Sequence, residues 1–143
     1  MFTPVDPNYE ERVRHSFMRQ AAMKLIGARL TRLEPGAVDI TLPYRPDLSQ
    51  QHGYLHAGML STIADTAGGY AGYTLFPADS SVLTVEYKLN LLAPPQGVLL
   101  RAQAHVEHQS AGVGVARVEV VCGDGTTMTR CGLLTGTYRI GAA

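Results

Sequence analysis

The most restrictive feature of this sequence is a stretch of twenty small and apolar residues, from Ala57 to Phe76, that contains a single charged side chain, Asp65. A segment that is apolar on every side predicts a helix surrounded by protein rather than an amphipathic surface helix. Other elements must therefore wrap around it. A carboxylate in the middle of such a helix has a large desolvation cost, so Asp65 is a candidate for chemistry.

Two other interpretations of this segment have to be weighed. Asp65 could be a buried carboxylate that a nearby hydroxyl satisfies, such as that of Thr62 or Thr66. The segment is also long enough to raise the question of a membrane span, but its glycines, its hydroxyl groups and its central carboxylate argue against one. The preceding residues 50–56 favour a site, because they combine two amides, two imidazoles and the turn-forming Gly53.

Length and charge exclude several classes of protein. The chain has 143 residues, 45% of them hydrophobic, and a formal net charge of zero. This length predicts one domain over residues 1–143. Because the Lys and Arg residues are scattered, we expect neither nucleic acid nor a membrane as a partner. The N-terminus is too polar and acidic for a secretory signal, which predicts a cytoplasmic protein.

Apolar periodicity predicts a helix, a hairpin, the central helix and four more strands. Val13, Phe17 and Ala21 recur at fourfold spacing and predict a packing helix over about residues 8–24. The strands are predicted over residues 25–33, 37–43, 82–92, 98–108, 113–122 and 126–138, with turns rich in Gly and Pro between them. This order predicts an α+β fold in which a curved antiparallel sheet wraps the central helix. The glycines of that helix would let strands approach closely.

The two cysteines predict buried free thiols. If Asp124-Gly125 is a two-residue hairpin turn, Cys122 faces Thr127 on the neighbouring strand. Cys131 is then out of register for a disulfide with Cys122.

The loop and the central helix share a spaced motif. Gln50 is followed three residues later by Gly53, then by His56-Ala57-Gly58, and fifteen residues after Gln50 by Asp65. A second motif runs from Thr84 to Pro94. In this order, the chain from about residue 25 to residue 138 resembles the hotdog-fold acyl-CoA thioesterases of the PaaI-like, phenylacetate-pathway type. That family has Asn in the place of Gln50 and Gly in the place of Ala57.

The resemblance implies hydrolysis of an acyl-CoA thioester with Asp65 as the key group. This carboxylate would either activate water as a general base or attack the thioester directly. The N–H groups of Ala57 and Gly58 would polarise the thioester oxygen, with help from the helix dipole. His56 would shape this loop. Gln50 and Thr84 would hold the water or the substrate carbonyl.

One subunit cannot supply this whole site. Seven residues separate Gly58 from Asp65, which is about 10 Å along a helix. A single thioester carbon therefore contacts both only if they belong to different subunits. The resemblance accordingly implies a homodimer, often paired into a homotetramer. Because His15, His105 and His108 lack neighbouring metal-ligand residues, we expect no metal ion, and we expect no cofactor.

Two rival functions share this fold. Asp47 and His52 have the five-residue spacing of a 2-enoyl-CoA hydratase motif, without the Asn-Pro expected between them. A non-catalytic acyl-binding module is the other, with Gln50 in place of Asn as the sign of lost activity. The sequence leaves the acyl chain open. Because basic residues are sparse around Ala93 and Ala111, it also leaves open whether the carrier is CoA.

Overall fold

The computed structural model describes residues 2–142. Within them the helices are α1 (Tyr9–Met18), α2 (Ala21–Ile26) and α3 (Ala57–Tyr73), and Pro46–Leu48 forms a short 3-10 turn. The strands are β1 (Arg29–Glu34), β2 (Ala37–Pro43), β3 (Ser80–Leu91), β4 (Leu99–Ser110), β5 (Val113–Gly123) and β6 (Met128–Ala142). The predicted order of elements is confirmed, and β2 has the predicted bounds.

The six strands form one antiparallel sheet in the order β1-β2-β4-β5-β6-β3. Helix α3 packs against five of these strands, β2 to β6. The hotdog arrangement of a curved sheet around a long central helix is therefore confirmed. Strands β4 and β5 alternate between buried and more exposed residues, as strands with one face on a core do.

The glycines of α3 make room for an aromatic ring from β6. A Cβ added at Gly68 would lie 2.2 Å from the Tyr138 hydroxyl, and one added at Gly136 would lie 2.5 Å from the same atom. The Tyr138 side chain is fully buried at this contact. The expectation that glycine permits close approach of strand and helix is thus confirmed in a specific pair of elements.

The two edges of the sheet differ. Strand β1 is short and carries charged side chains, which protect an edge from pairing with another chain. Strand β3 is twelve residues long. Its apolar residues Leu83 and Val85 are 63% and 59% exposed, and Leu91 is 57% exposed. A long, apolar edge of this kind can pair with a strand of another chain, so β3 is the candidate edge for such pairing.

Three sequence predictions about local structure are wrong. The N-terminal helix is two helices, because the chain leaves the helical conformation at Gln20. Leu25 belongs to α2 and not to the first strand, which starts only at Arg29, beyond the left-handed Gly27. The link between β5 and β6 has four residues and not two, so Cys122 pairs with Thr129. Both cysteines are nevertheless buried free thiols, as predicted.

The N-terminal helices are fixed to the end of α3 by Arg12. Its guanidinium donates to the carbonyl oxygens of Tyr73 at 3.2 Å and Phe76 at 2.9 Å. It also forms an ion pair with Asp6 at 2.7 Å and lies 4.2 Å from the centre of the Tyr73 ring. A cation at these carbonyl groups is favoured by the dipole of α3. This contact holds the link between α1 and α2, including Gln20, over the surface of α3.

The longest helix in residues 2–142 is α3, with 17 residues. No helix in that part of the chain has the length and apolar character needed to cross a bilayer.

Candidate active site

The loop before α3 is held in shape by its backbone. Ser49 and Leu55 form an isolated antiparallel bridge, and the His56 N–H donates to the Leu48 carbonyl at 3.0 Å. The Tyr44 hydroxyl donates to the Gly53 carbonyl at 3.1 Å. Gly53 has a φ of +84°, which favours glycine even though a Cβ there would meet nothing within 4 Å. These contacts fix the point at which α3 begins.

His56 caps the N-terminus of α3 with its side chain. Its Nδ1 accepts a hydrogen bond from the Gly58 N–H at 2.8 Å, so the neutral imidazole carries its proton on Nε2. A Cβ at Gly58 would lie 2.9 Å from Nδ1, which explains the glycine. The Ala57 N–H makes no hydrogen bond within residues 2–142. Ala57 and Gly58 are the two residues whose N–H groups are expected to polarise a thioester. The Gly58 N–H already bonds His56, so the Ala57 N–H is the one available to a ligand.

Gln50 belongs to the same loop. Its Oε1 accepts a hydrogen bond from the His52 N–H. Gln50, His56 and Ala57 line a cavity of about 680 Å³, whose other walls include Leu91 and Pro94 beyond the end of β3. We call this space the loop cavity.

Asp65 lies two turns further along α3 and faces the start of β3. Its carboxylate accepts a hydrogen bond from the Thr84 hydroxyl at 2.9 Å. Burial raises the pKa of Asp65 above its ordinary value, although the hydroxyl groups of Thr84 and Tyr138 act in the opposite direction. A carboxylate with a raised pKa is a better base than an ordinary one. Its partner is thus on a strand and is neither Thr62 nor Thr66.

Tyr138 is a site residue that sequence reasoning missed. It is the cross-strand partner of Thr84, and its buried hydroxyl has no hydrogen-bond partner in residues 2–142. Burial and the nearby Asp65 carboxylate raise the pKa of this hydroxyl, so it stays protonated. The protonated hydroxyl lies close enough to Asp65 to favour the ionised carboxylate, which acts to lower the pKa of Asp65.

A second polar pair lies one turn before Asp65 on the same face of α3. The hydroxyl groups of Ser61 and Tyr87 are 2.5 Å apart. Strand periodicity alone would put Glu86, and not Tyr87, on the same face as Thr84. A bulge at Val85 shifts the alternation, so Thr84 and Tyr87 both face the helix.

The six predicted site residues fall into two groups. The loop cavity holds Gln50, His56 and Ala57, with Gly58 at the adjoining first turn of α3. Asp65 and Thr84 line a separate cavity of about 90 Å³, which we call the carboxylate cavity. The two cavities open at opposite ends of β3, because Thr84 lies near its start and Leu91 is its last residue. A single chain therefore does not bring all six residues together.

The hydratase motif does not form a comparable site. Both carboxylate oxygens of Asp47 accept hydrogen bonds from Arg45, at 3.0 and 2.7 Å, and this pair lowers the pKa of Asp47. His52 lines the loop cavity, whereas Asp47 does not. An acid held in an exposed ion pair is a poor base.

The described residues also offer no obvious metal site. Within residues 2–142, no three His, Cys, Asp or Glu side chains lie close enough together to hold a metal ion.

Comparison with known proteins gives consistent matches. The model of the thioesterase superfamily matches residues 52–129. The acyl-coenzyme A thioesterase PaaI of Escherichia coli is 28% identical over 106 residues, which are 73% of this chain and 74% of that protein. A solved thioesterase family protein from Silicibacter pomeroyi has a TM-score of 0.92 and 37% identity over 94% of this chain and 99% of its own.

The structure of the E. coli PaaI protein, from the phenylacetic acid degradation operon, is also similar. Its TM-score is 0.83 at 23% identity, and the match covers 95% of this chain and 96% of that chain. At this identity the structural likeness concerns the fold.

Proposed function

Because this chain belongs to the thioesterase superfamily, we propose that it hydrolyses an acyl-CoA thioester to the free acid and CoA at a site shared by two subunits. The family and the PaaI relative identify the chain as a thioester hydrolase. The acyl-CoA substrate and the shared site are our proposal. The observation that carries it is the half-buried Asp65 on α3. Its carboxylate accepts a hydrogen bond at 2.9 Å from Thr84 of the edge strand β3, and burial raises its pKa.

The exposed edge of β3 supports a homodimer. Two copies of β3 can pair side by side in antiparallel fashion, which is a closed, twofold-symmetric arrangement. Pairing centred between Tyr87 and Lys88 would bring Thr84 of one subunit opposite Leu91 of the partner subunit. The carboxylate cavity of one chain would then meet the loop cavity of the other. The tetramer implied by the resemblance stays a prediction.

The chemistry follows from the groups on the two sides of this proposed interface. The Ala57 N–H, at the positive end of the α3 dipole, stabilises the oxyanion that forms on the thioester carbonyl. Gly58 can add its N–H only when His56 releases it. Asp65 of the partner subunit either removes a proton from water or attacks the carbonyl carbon itself. In the first route water adds to the carbonyl carbon, the C–S bond breaks, and the free acid and the thiolate of CoA leave. In the second route the C–S bond breaks to give the thiolate and an acyl-Asp65 anhydride, which water then hydrolyses to the free acid and the Asp65 carboxylate.

The direct test is release of free thiol from short, medium and aromatic acyl-CoAs by the wild type and by Asp65→Asn. We expect the wild type to turn over at least one of them. Asp65→Asn should lose about a hundredfold in kcat/KM, which corresponds to about 2.7 kcal/mol of transition-state stabilisation. The matched control is Asp79→Asn, an exposed carboxylate that should keep the wild-type rate.

Two outcomes would contradict the proposal. An active Asp65→Asn protein of unchanged oligomeric state would remove Asp65 from the mechanism. A wild type that binds acyl-CoA but releases no thiol from any member of the panel would favour the acyl-binding module.

A further inference from the structure

The carboxylate cavity continues past Asp65 to a polar end wall. Beyond Asp65 and Thr84, it is lined by Thr66 and Gly69 of α3, and Gln20 and Tyr70 close it. Gln20 comes from the link between α1 and α2, and Tyr70 lies on α3 one turn after Thr66. The N-terminal segment of this chain therefore supplies part of the cavity beside the reactive carboxylate.

A hydrogen-bond network holds the end wall in place. The Gln20 amide donates to the Tyr70 hydroxyl at 3.0 Å, and Ser16 Oγ lies 3.1 Å from the same hydroxyl. The Tyr70 side chain is only 2% exposed, and its ring packs edge-on against Phe17. The Arg12 contacts tie α1 to the end of α3, and the bond to Tyr70 ties Gln20 to the same helix.

The remaining hydrogen-bonding capacity of Gln20 fits a polar ligand. Its bond to Tyr70 uses one of the two N–H donors of the amide. The second N–H and the carbonyl oxygen are then a donor and an acceptor for a group in the cavity. A hydroxyl group can satisfy both and a ketone can satisfy the donor, whereas a methylene group would leave them without partners.

The cavity is too small for a large acyl group. Its volume is about 90 Å³. An engineered cavity of about 150 Å³ holds benzene. The smaller carboxylate cavity therefore suits a few heavy atoms better than a phenyl ring.

The two cavities differ in the part of the substrate they suit. The loop cavity has a volume of about 680 Å³, which suits the long pantetheine arm of CoA. The carboxylate cavity is small and ends at Gln20. Acyl atoms that start at a carbonyl carbon beside Asp65 would run toward that end wall.

We propose that the carboxylate cavity is the acyl pocket and that Gln20, with Tyr70, selects a short acyl group with a hydroxyl or keto substituent. This inference rests on the proposed function, since it assigns the acyl end of the same site. Gln20 is then a specificity-determining residue contributed by the N-terminal segment.

The experiment compares kcat/KM for 3-hydroxybutyryl-CoA, butyryl-CoA and phenylacetyl-CoA. These substrates separate a hydroxyl from a methylene at equal chain length, and a short acyl group from a ring. We expect the wild type to prefer 3-hydroxybutyryl-CoA over butyryl-CoA by about three- to tenfold, the value of one hydrogen bond, and to be slowest on phenylacetyl-CoA.

Gln20→Leu should abolish the preference for the hydroxyl, because it removes the amide at similar volume, so the ratio of kcat/KM for 3-hydroxybutyryl-CoA to that for butyryl-CoA should fall to about one. Ser16→Ala is the matched control. It removes the other contact of the Tyr70 hydroxyl without touching the cavity, so the preference should remain. Thermal unfolding of each variant shows whether the fold is intact. Tyr70→Phe removes the hydroxyl that holds the Gln20 amide without changing Gln20 itself, and it should weaken the preference for 3-hydroxybutyryl-CoA.

The outcomes separate this inference from the proposed function. If the wild type releases thiol but does not prefer 3-hydroxybutyryl-CoA, or if Gln20→Leu keeps the preference, the acyl-pocket assignment is wrong and the thioesterase function stands. Fastest hydrolysis of phenylacetyl-CoA would likewise overturn it and place the acyl group in the loop cavity. If no substrate releases thiol, the proposed function itself fails.

Discussion

The two halves of α3 belong to one apolar segment but have different surroundings. From Ala67 to Tyr73 every residue is buried, because this half lies between the sheet and the N-terminal helices. From Ala57 to Thr66, buried residues such as Leu60 and Ile63 alternate with half-exposed polar ones, among them Asp65. One apolar segment thus serves as core in one half and carries the candidate reactive groups in the other.

The small residues in the two halves of α3 also make room for different groups. In the C-terminal half, Gly68 accommodates the Tyr138 ring, which is a packing requirement. In the N-terminal half, Gly58 accommodates the imidazole of His56, and Ala57 presents an N–H group without a partner in residues 2–142. Substitutions in the C-terminal half should therefore change stability, and substitutions in the N-terminal half should change the reaction rate.

The largest expected effect is that of Ala57→Pro in the N-terminal half. Proline is well tolerated at the first position of a helix, and it removes only the N–H that we assign to the oxyanion. His56 already has an extended conformation, with φ of −62° and ψ of 138°, which suits a residue before proline. We expect kcat to fall by about a hundredfold with little change in thermal stability.

Ala57→Ser is the control for this prediction, because it keeps the N–H and should keep most of the activity. A proline variant that works at the wild-type rate would show that the Ala57 N–H does not contact the reacting carbonyl.

The next effect concerns two glycines of the buried half. Gly68→Ala places a methyl group against the buried Tyr138 side chain and should reduce the free energy of unfolding by about 1–3 kcal/mol. Gly72→Ala is the matched control. Its Cβ would lie 3.8 Å from Phe76, an ordinary contact, so it should stabilise the helix by about 0.5–1 kcal/mol. Denaturant unfolding measures both, and equal effects would refute the packing role of Gly68.

The smallest expected effect is on the pH dependence of stability. Folding raises the pKa of Asp65, so the folded state binds more protons than the unfolded state between the ordinary pKa and the raised one. The contribution of this group to stability is therefore greatest at low pH and is lost as the pH rises through that window. Asp65→Asn removes this loss, and we expect the variant to gain stability relative to the wild type as the pH rises.

Denaturant unfolding at several pH values, from below the ordinary pKa of Asp to neutrality, measures this difference. The same carboxylate must be ionised to act, so the rate of the wild type should fall as the pH drops through the raised pKa. A variant that is less stable than the wild type at neutral pH would mean that the Asp65 carboxylate stabilises the fold.

Much of this fold could be predicted from the sequence, because its signals are local. The alternation of Val38, Ile40 and Leu42 predicts β2, and the apolar run after His56 predicts α3. Asp65 is a predictable candidate for the same reason, since a lone charge in an apolar helix is conspicuous. The break between α1 and α2 is not visible in the sequence, because the apolar spacing continues through Gln20, where a tertiary contact with Tyr70 accompanies the break.

The rest of the site depends on contacts between distant residues. The bulge at Val85 changes which side chains of β3 face the helix, and strand periodicity does not reveal a bulge. Tyr138 reaches Asp65 only because β6 pairs with β3, which neighbours β6 in space but not in sequence. The motif spacing already separates Gly58 from Asp65 along the helix, but the two cavities that the six residues line depend on where β3 begins and ends.

The shared site is tested most directly by mixing two inactive variants. Ala57→Pro and Asp65→Asn chains are unfolded together, refolded and assayed for thiol release on a substrate that the wild type hydrolyses. In a mixed dimer, one site combines the intact Ala57 N–H of one chain with the intact Asp65 of the other, so random pairing should restore about a quarter of the wild-type rate. A mixture as inactive as its components, with dimers present, would place both groups in one subunit and contradict the account.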